Sequence, residues 1–168
     1  MADNKVYEPL LDVENVLGIL SKISIFAGLN DKQLYRLFRL LEEVSYRKDE
    51  IIFRQGDVPS YIYIIKSGRV KRFKEEDHTT LELIVIGPGQ SFGVSSIIGI
   101  QHHGSSAIAV ENTELIVLSR KMLMSIYESD MELFSTLIFN IAREVCRRLH
   151  SSEDILLHYL ATNKPNVS

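Results

Sequence analysis

Apolar and polar residues alternate with a period of two from Val44 to Leu118, and helical spacing takes over on either side of that block. Inside it, the pattern predicts short strands at 44–47, 50–53, 61–65, 69–74, 81–86, 105–110 and 115–118. Turn-forming residues separate them, at Gly56-Asp57, at Ser67-Gly68 and over 75–78, 87–89 and 111–113. Many short strands at near-regular spacing predict a sandwich or barrel rather than a parallel sheet. Ahead of the block, residues 1–8 are expected to be loose. Leu10, Val13, Leu17 and Leu20 then fall at helical spacing over 10–22. Asn30 or Asp31 caps a second predicted helix that runs to about Glu43. Its apolar stripe is Leu34, Leu37, Phe38 and Leu41, with Lys32, Arg36, Arg39 and Glu42 outward. After the block, Ser119 caps a short helix over 119–127, and Asp130 opens a long one over 131–160.

Composition narrows the function classes. The chain has 168 residues, which suits one domain with an appendage and a core that needs no metal or disulfide. A net charge of −3 argues against a strongly basic nucleic-acid protein. The single cysteine, Cys146, excludes a disulfide framework and four-thiolate metal or iron–sulfur sites. It reads as a packing residue. The N-terminus lacks a basic-then-apolar signal, and no apolar run approaches the roughly 20 residues of a membrane span. The expectation is a soluble cytoplasmic protein with no membrane partner. Lys66, Arg69, Lys71, Arg72 and Lys74 form a basic hairpin, largely offset by Glu75-Glu76-Asp77, and read as a solvated strand face.

The chemistry concentrates in residues 87–110, GPGQSFGVSSIIGIQHHGSSAIAV. Pro88-Gly89 makes a turn, residues 90–92 are extended, and Gly93 lets the backbone turn sharply. Ser95-Ser96-Ile97-Ile98 is about one helical turn with serine in the N-cap place, ended by Gly99. Gly104 opens the next strand. A short helix between two strands is either an ordinary connection or an anion cradle.

These residues resemble the phosphate-binding cassette of the cyclic-nucleotide-binding domain superfamily, through Pro88, Gly89, Phe92 and Gly93. Gln55-Gly56-Asp57, Tyr63 and Ser67-Gly68-Arg69-Val70 match the same family's early hairpin in residue type and spacing. The segment ISIFAGLNDKQLYRLFRLLEEVSY resembles its helical lead-in. The resemblance covers about residues 25–149. It implies a mainly β fold with flanking α: a β-jelly roll (double-stranded β-helix) with a helical N-terminal lead-in and a long C-terminal dimerisation helix. It divides the chain into a lead-in at 1–22, the β-roll at 23–128 with its cassette at 87–110, a helix at 129–160 and a tail at 161–168. The family type implied is the sensor domain of catabolite-activator and fumarate-nitrate-regulator proteins.

Two positions depart from the pattern. Val94 occupies the place of the family's ribose-binding glutamate, and the phosphate-binding arginine falls on His103 or Gly104, depending on register. The expected site is therefore Gly93, Val94, Ser95, Ser96, His103, Gly104, Ser105 and Ser106. A partly protonated His103 would supply charge, and the serines would supply hydrogen bonds to an anion. The ligand would be a cyclic nucleotide or another anion, with no cofactor required. In the long helix, Ile138, Val145 and Ser152 repeat every seven residues, as do Ala142, Leu149 and Leu156. That seam predicts a homodimer, the role the helix has in the family. After Leu160 only ATNKPNVS remains, too little for a recognition helix, so no DNA binding is expected of these residues alone.

Catalysis is not expected. The jelly roll is also the cupin architecture, but His78, His102, His103, His150 and His158 do not form the required H-x-H and carboxylate spacing. A histidine-held haem is a remote option. No nucleophile elbow, P-loop or paired-carboxylate motif is present. The reading is a regulatory or sensor domain with an altered cassette. The alternatives are a degenerate pocket serving as a dimeric scaffold for a protein effector, a sensor fragment of a transcription regulator and, remotely, a cupin-like metalloenzyme.

Overall fold

The structure, a computed structural model, describes residues 5–11, 13–77 and 79–162, the side chains of 13–15 and 17 aside. Expectations for the side chains of Val13 and Leu17, for His78, and for residues 1–4 and 163–168 lie outside the described residues.

A two-residue strand β1 (Glu8–Pro9) leads into α1 (Val13–Leu20), a 3-10 turn (Ser24–Phe26) and α2 (Asp31–Phe38). Asn30 caps α2 through a capping box with Gln33, the side chain of each accepting from the backbone N–H of the other. The helix ends at Phe38, short of the expected Glu43, because Glu42 and Glu43 are drawn into β2 (Glu42–Tyr46) by pairing with β9 (Thr113–Ser119). Between them run β3 (Ile51–Phe53), β4 (Tyr61–Ser67), β5 (Val70–Glu76), β6 (Thr79–Ile86), β7 (Ser91–Phe92), α3 (Val94–Gly99) and β8 (Ser106–Ala109). The strands form two antiparallel sheets, in the orders β1-β2-β9-β4-β7 and β3-β8-β5-β6. Helix α4 (Arg120–Ser129) follows its Ser119 cap, and α5 (Met131–Thr162) follows Asp130, whose carboxylate accepts from the Leu133 N–H.

Strand parity explains how one sheet serves two cores. In β4, Tyr63 and Ile65 face the second sheet with Val70, Phe92 and Ala107. Ile62 and Ile64 face the helices, joining Leu20, Phe26, Leu37, Leu137 and Ile141. In β9, Leu115 and Val117 belong to the first core, and Ile116 and Leu118 to the second. Strands buried on both faces read as continuous apolar runs, as these do.

The N-terminal residues that are described are not loose. Lys5 donates to the Ser45 carbonyl, pairs with Glu50 and sits 4.5 Å from the Tyr46 ring centroid. Tyr7 stacks on Tyr61, with centroids 4.6 Å apart. Two aromatic rings and one ion pair anchor a segment too short to carry a periodic signal.

Candidate ligand-binding site

Gly93 fixes the start of the site. Its φ is +77°, and a Cβ there would lie 2.9 Å from the Tyr61 carbonyl and 3.2 Å from the Tyr63 ring. Only glycine gives both the left-handed backbone and the close approach. Gly93 is also the N-cap of α3, a role expected of serine, and no side chain caps this helix. Nor does Gly99 end it: Gly99 is helical and Ile100 carries the left-handed cap at φ 52°. Val94 is buried in the helix-side core with Ile97, while Ser95 is exposed and Ser96 buried.

His103 is only 4% exposed and lies flat on Phe53, with centroids 3.7 Å apart and rings 7° from parallel. Its backbone is tied to the Gly56-Asp57 turn: its N–H donates to the Asp57 carbonyl and its carbonyl accepts from the Gly56 N–H. Burial pushes the imidazole below its ordinary value; Asp57 opposes that shift and Arg72 adds to it. A shift in this direction favours the neutral ring near pH 7, where the sequence leads one to expect partial protonation. Gly104 is exposed, and nothing lies within 4 Å of where its Cβ would be.

A cation expected on a solvated strand face, Arg72, lies beside the cassette instead. On β5, Arg72 shares the parity of buried Val70, and a register shift between Arg72 and Phe73 follows it. Arg72 pairs across the sheet with Ala107, itself fully buried. Its guanidinium donates to the Ser105 hydroxyl at 2.8 Å. Its Nε has no hydrogen-bond partner, the one such buried side-chain nitrogen or oxygen among the described residues. Burial and the neighbouring Arg148 both push Arg72 below the ordinary guanidinium value. Arg148 reaches in from α5 and donates to the Ser91 carbonyl at 2.7 Å and the Ser91 hydroxyl at 3.4 Å, and it also meets the Glu144 carboxylate. Ser106 is engaged elsewhere, accepting from the Gln55 N–H.

Three other cations of the hairpin pair with carboxylates other than the expected Glu75, Glu76 and Asp77. Lys66 pairs with Glu43 and Glu114, Arg69 with Glu111 and Lys71 with Glu82. The parity that turns Val70 inward turns Arg72 to the same side, where it is half-buried, and this was the available signal. Of the expected site residues, the fold brings Ser105 to the cationic cluster, seals Val94 and His103 into packed surroundings, and leaves Ser95 and Gly104 at the surface. Among the described residues no three His, Cys, Asp or Glu side chains gather where they could hold a metal.

A sequence model of the family described as "Cyclic nucleotide-binding domain" matches residues 43–130, just over half of the chain. This chain belongs to the cyclic nucleotide-binding domain family. It is 29% identical over 146 residues to the cyclic AMP receptor protein of Thermus thermophilus, covering 83% of this chain and 65% of that protein. It thus spans less than two thirds of that relative. Among solved structures it is similar to the Thermus thermophilus catabolite activator protein, with TM-score 0.71 and 28% identity over 82% of this chain and 63% of that one. A cyclic nucleotide-binding domain from Methylobacillus flagellatus shares the fold at TM-score 0.79 and 21% identity, covering 92% of this chain and 86% of that one. The family's jelly roll and long C-terminal helix are both present here. No helix among the described residues is long and apolar enough to cross a membrane.

Proposed function

We propose that this chain is a non-catalytic regulatory domain whose cassette no longer holds a cyclic nucleotide through the family's own contacts, and which forms a homodimer through α5. The observation that carries the first part is the pair Val94 and His103. Val94 is sealed in the core where the resemblance puts a ribose-binding carboxylate, and His103 is stacked and neutral near the place of the phosphate-binding arginine. A cassette with neither a carboxylate nor a cation offers a cyclic nucleotide only hydroxyls and backbone N–H groups, and neutral hydrogen bonds are about half as strong as charge-assisted ones. The ligand is an anion read by groups outside the cassette, in a cytoplasmic setting and without a resident cofactor. The homodimer is supported by Ile138, Ala142, Val145, Leu149 and Leu156, which lie along one stripe of α5; the last four are exposed.

Thermal unfolding with cAMP, cGMP and cyclic dinucleotides tests the cassette. A ligand bound only by the folded state adds about 2.7 kcal/mol at 100 times its Kd. We expect cAMP and cGMP at about 0.1 mM to give far less than that gain, which a micromolar binder would reach in full. A full-sized rise with either one overturns the altered-cassette reading.

A further inference from the structure

We propose that Arg72, on β5 and outside the cassette, is the residue that takes the negative charge of the ligand, and that this ligand presents a singly charged phosphodiester to it. The inference deepens the altered-cassette reading and rests on it.

The local charges set the count. Arg148 is matched by Glu144, whose carboxylate it meets at 2.8 Å; Arg147 also meets that carboxylate, at 2.6 Å, but its side chain is 62% exposed and its charge is solvated. Burial alone would raise the Glu144 carboxyl, but Arg147 and Arg148 hold it below its ordinary value, so it stays ionised and keeps Arg148 neutralised. Arg72 has no such partner. Its one hydrogen bond goes to a neutral hydroxyl, that of Ser105, and its Nε is left bare. The remaining excess is a single positive charge, next to a second guanidinium that repels it. A half-buried cation with a fully buried, unpartnered Nε is unfavourable in that position unless an anion neutralises it. One bound monoanion restores the balance, whereas a dianion would overshoot it.

Geometry adds the donor set. A guanidinium presents a planar fork, so an oxyanion with two free oxygens is held at two points. The Ser105 hydroxyl already touches that fork and retains its own proton to donate. Arg148 lies near enough to perturb Arg72 and is fixed to Ser91, the residue just before Phe92 and Gly93. An anion on Arg72 would therefore lie beside the Ser105 hydroxyl, with Arg148 of α5 nearby. His103 is the weaker anchor, because burial holds its imidazole below the ordinary value and so favours the neutral ring. A phosphodiester has one charge and two unesterified oxygens, which fits both the count and the fork.

Arg72→Met and Arg72→Lys, compared with the wild-type chain, test this with two readouts. Without ligand, Arg72→Met should raise the midpoint of thermal unfolding, because it removes an unbalanced half-buried cation with an unpartnered Nε and keeps an unbranched chain of similar length. With cAMP, cGMP and a cyclic dinucleotide titrated to millimolar concentration at constant ionic strength, the wild-type midpoint should rise for at least one of them. Affinity for that nucleotide should drop about 10-fold or more in Arg72→Met, the loss expected of a charge-assisted bond, and less in Arg72→Lys, which keeps charge without the fork. A lowered midpoint in ligand-free Arg72→Met overturns the inference. So does equal nucleotide affinity in wild type and variant, or a wild type that none of the three nucleotides affects. Tight cAMP binding that disappears in Arg72→Met would sink the altered-affinity reading while leaving Arg72 in its role, so the two can fail separately.

Discussion

His103 lies flat on Phe53, and the charges facing it, Asp57 and Arg72, pull its titration in opposite directions. Burial is the larger influence and keeps the folded ring neutral below its ordinary value of 6.5. Above that pH the folded and unfolded chains are both neutral at this site and it contributes no pH dependence. As pH falls below 6.5 the unfolded chain binds the proton first, so stability decreases until the folded ring also titrates. Glu50 and Glu144, both held below 4.5 by their cationic partners, lose their contribution only in a more acidic window. Urea unfolding between pH 7 and 5 should therefore show falling stability for the wild type and a flatter profile for His103→Phe, which keeps the stack on Phe53. The same steep fall in both proteins would mean that His103 titrates normally. The sequence could not show any of this, since the stack joins residues fifty positions apart. Arg72 was missed for another reason: a run of basic residues reads as solvated, yet parity with Val70 sets its direction.

In α5, the same spacing rule that was legible in the sequence separates two faces. Leu133, Leu137 and Ile141 are buried against the lead-in and the sheet. Leu149 and Leu156, one turn of the pattern further round and beyond the barrel, are 58% and 57% exposed. Helix α5 is thus anchored at its start, while Leu149 and Leu156 in its second half stay exposed. Leu137→Ala should cost about 2–5 kcal/mol of folding stability, the range for a buried leucine truncation. Leu149→Lys with Leu156→Lys should leave the monomer's stability nearly unchanged and shift the protein from dimer to monomer in sedimentation velocity. A double variant that remains dimeric would move the interface off this stripe. The heptad spacing made the seam readable, but where the barrel stops covering the helix depends on three-dimensional packing. Helix boundaries failed for related reasons: strand pairing took Glu42 and Glu43 from α2, and the glycine needed at the Tyr61–Tyr63 approach became the α3 cap in place of serine.

Across the whole molecule, the segments before and after the jelly roll are fastened to each other rather than only to the sheets. Asn140 of α5 is buried and donates to the carbonyls of Ile25 and Ala27, at 3.3 and 2.7 Å, while its own carbonyl accepts from Arg143. Arg36 of α2 meets Asp130 at 2.8 Å, at the joint that opens α5, and Ser24 donates to Glu144 one turn beyond Asn140. Glu144 in turn holds Arg148, which holds Ser91, so the lead-in, the long helix and the cassette strand share one continuous polar chain of contacts. The exposed ion pair contributes little on its own. Asn140 contributes more, because it is itself buried and removing it strips a hydrogen bond from the carbonyl of buried Ile25 and another from that of Ala27. Asn140→Ala should destabilise the fold by about 1–3 kcal/mol, the cost of leaving buried polar groups unsatisfied. Hydrogen exchange should then speed up in both residues 23–29 and the first turns of α5, since each loses the same partner. Faster exchange confined to α5 would show that the lead-in is held by its apolar contacts alone, and that the polar chain does not join the two ends of the domain.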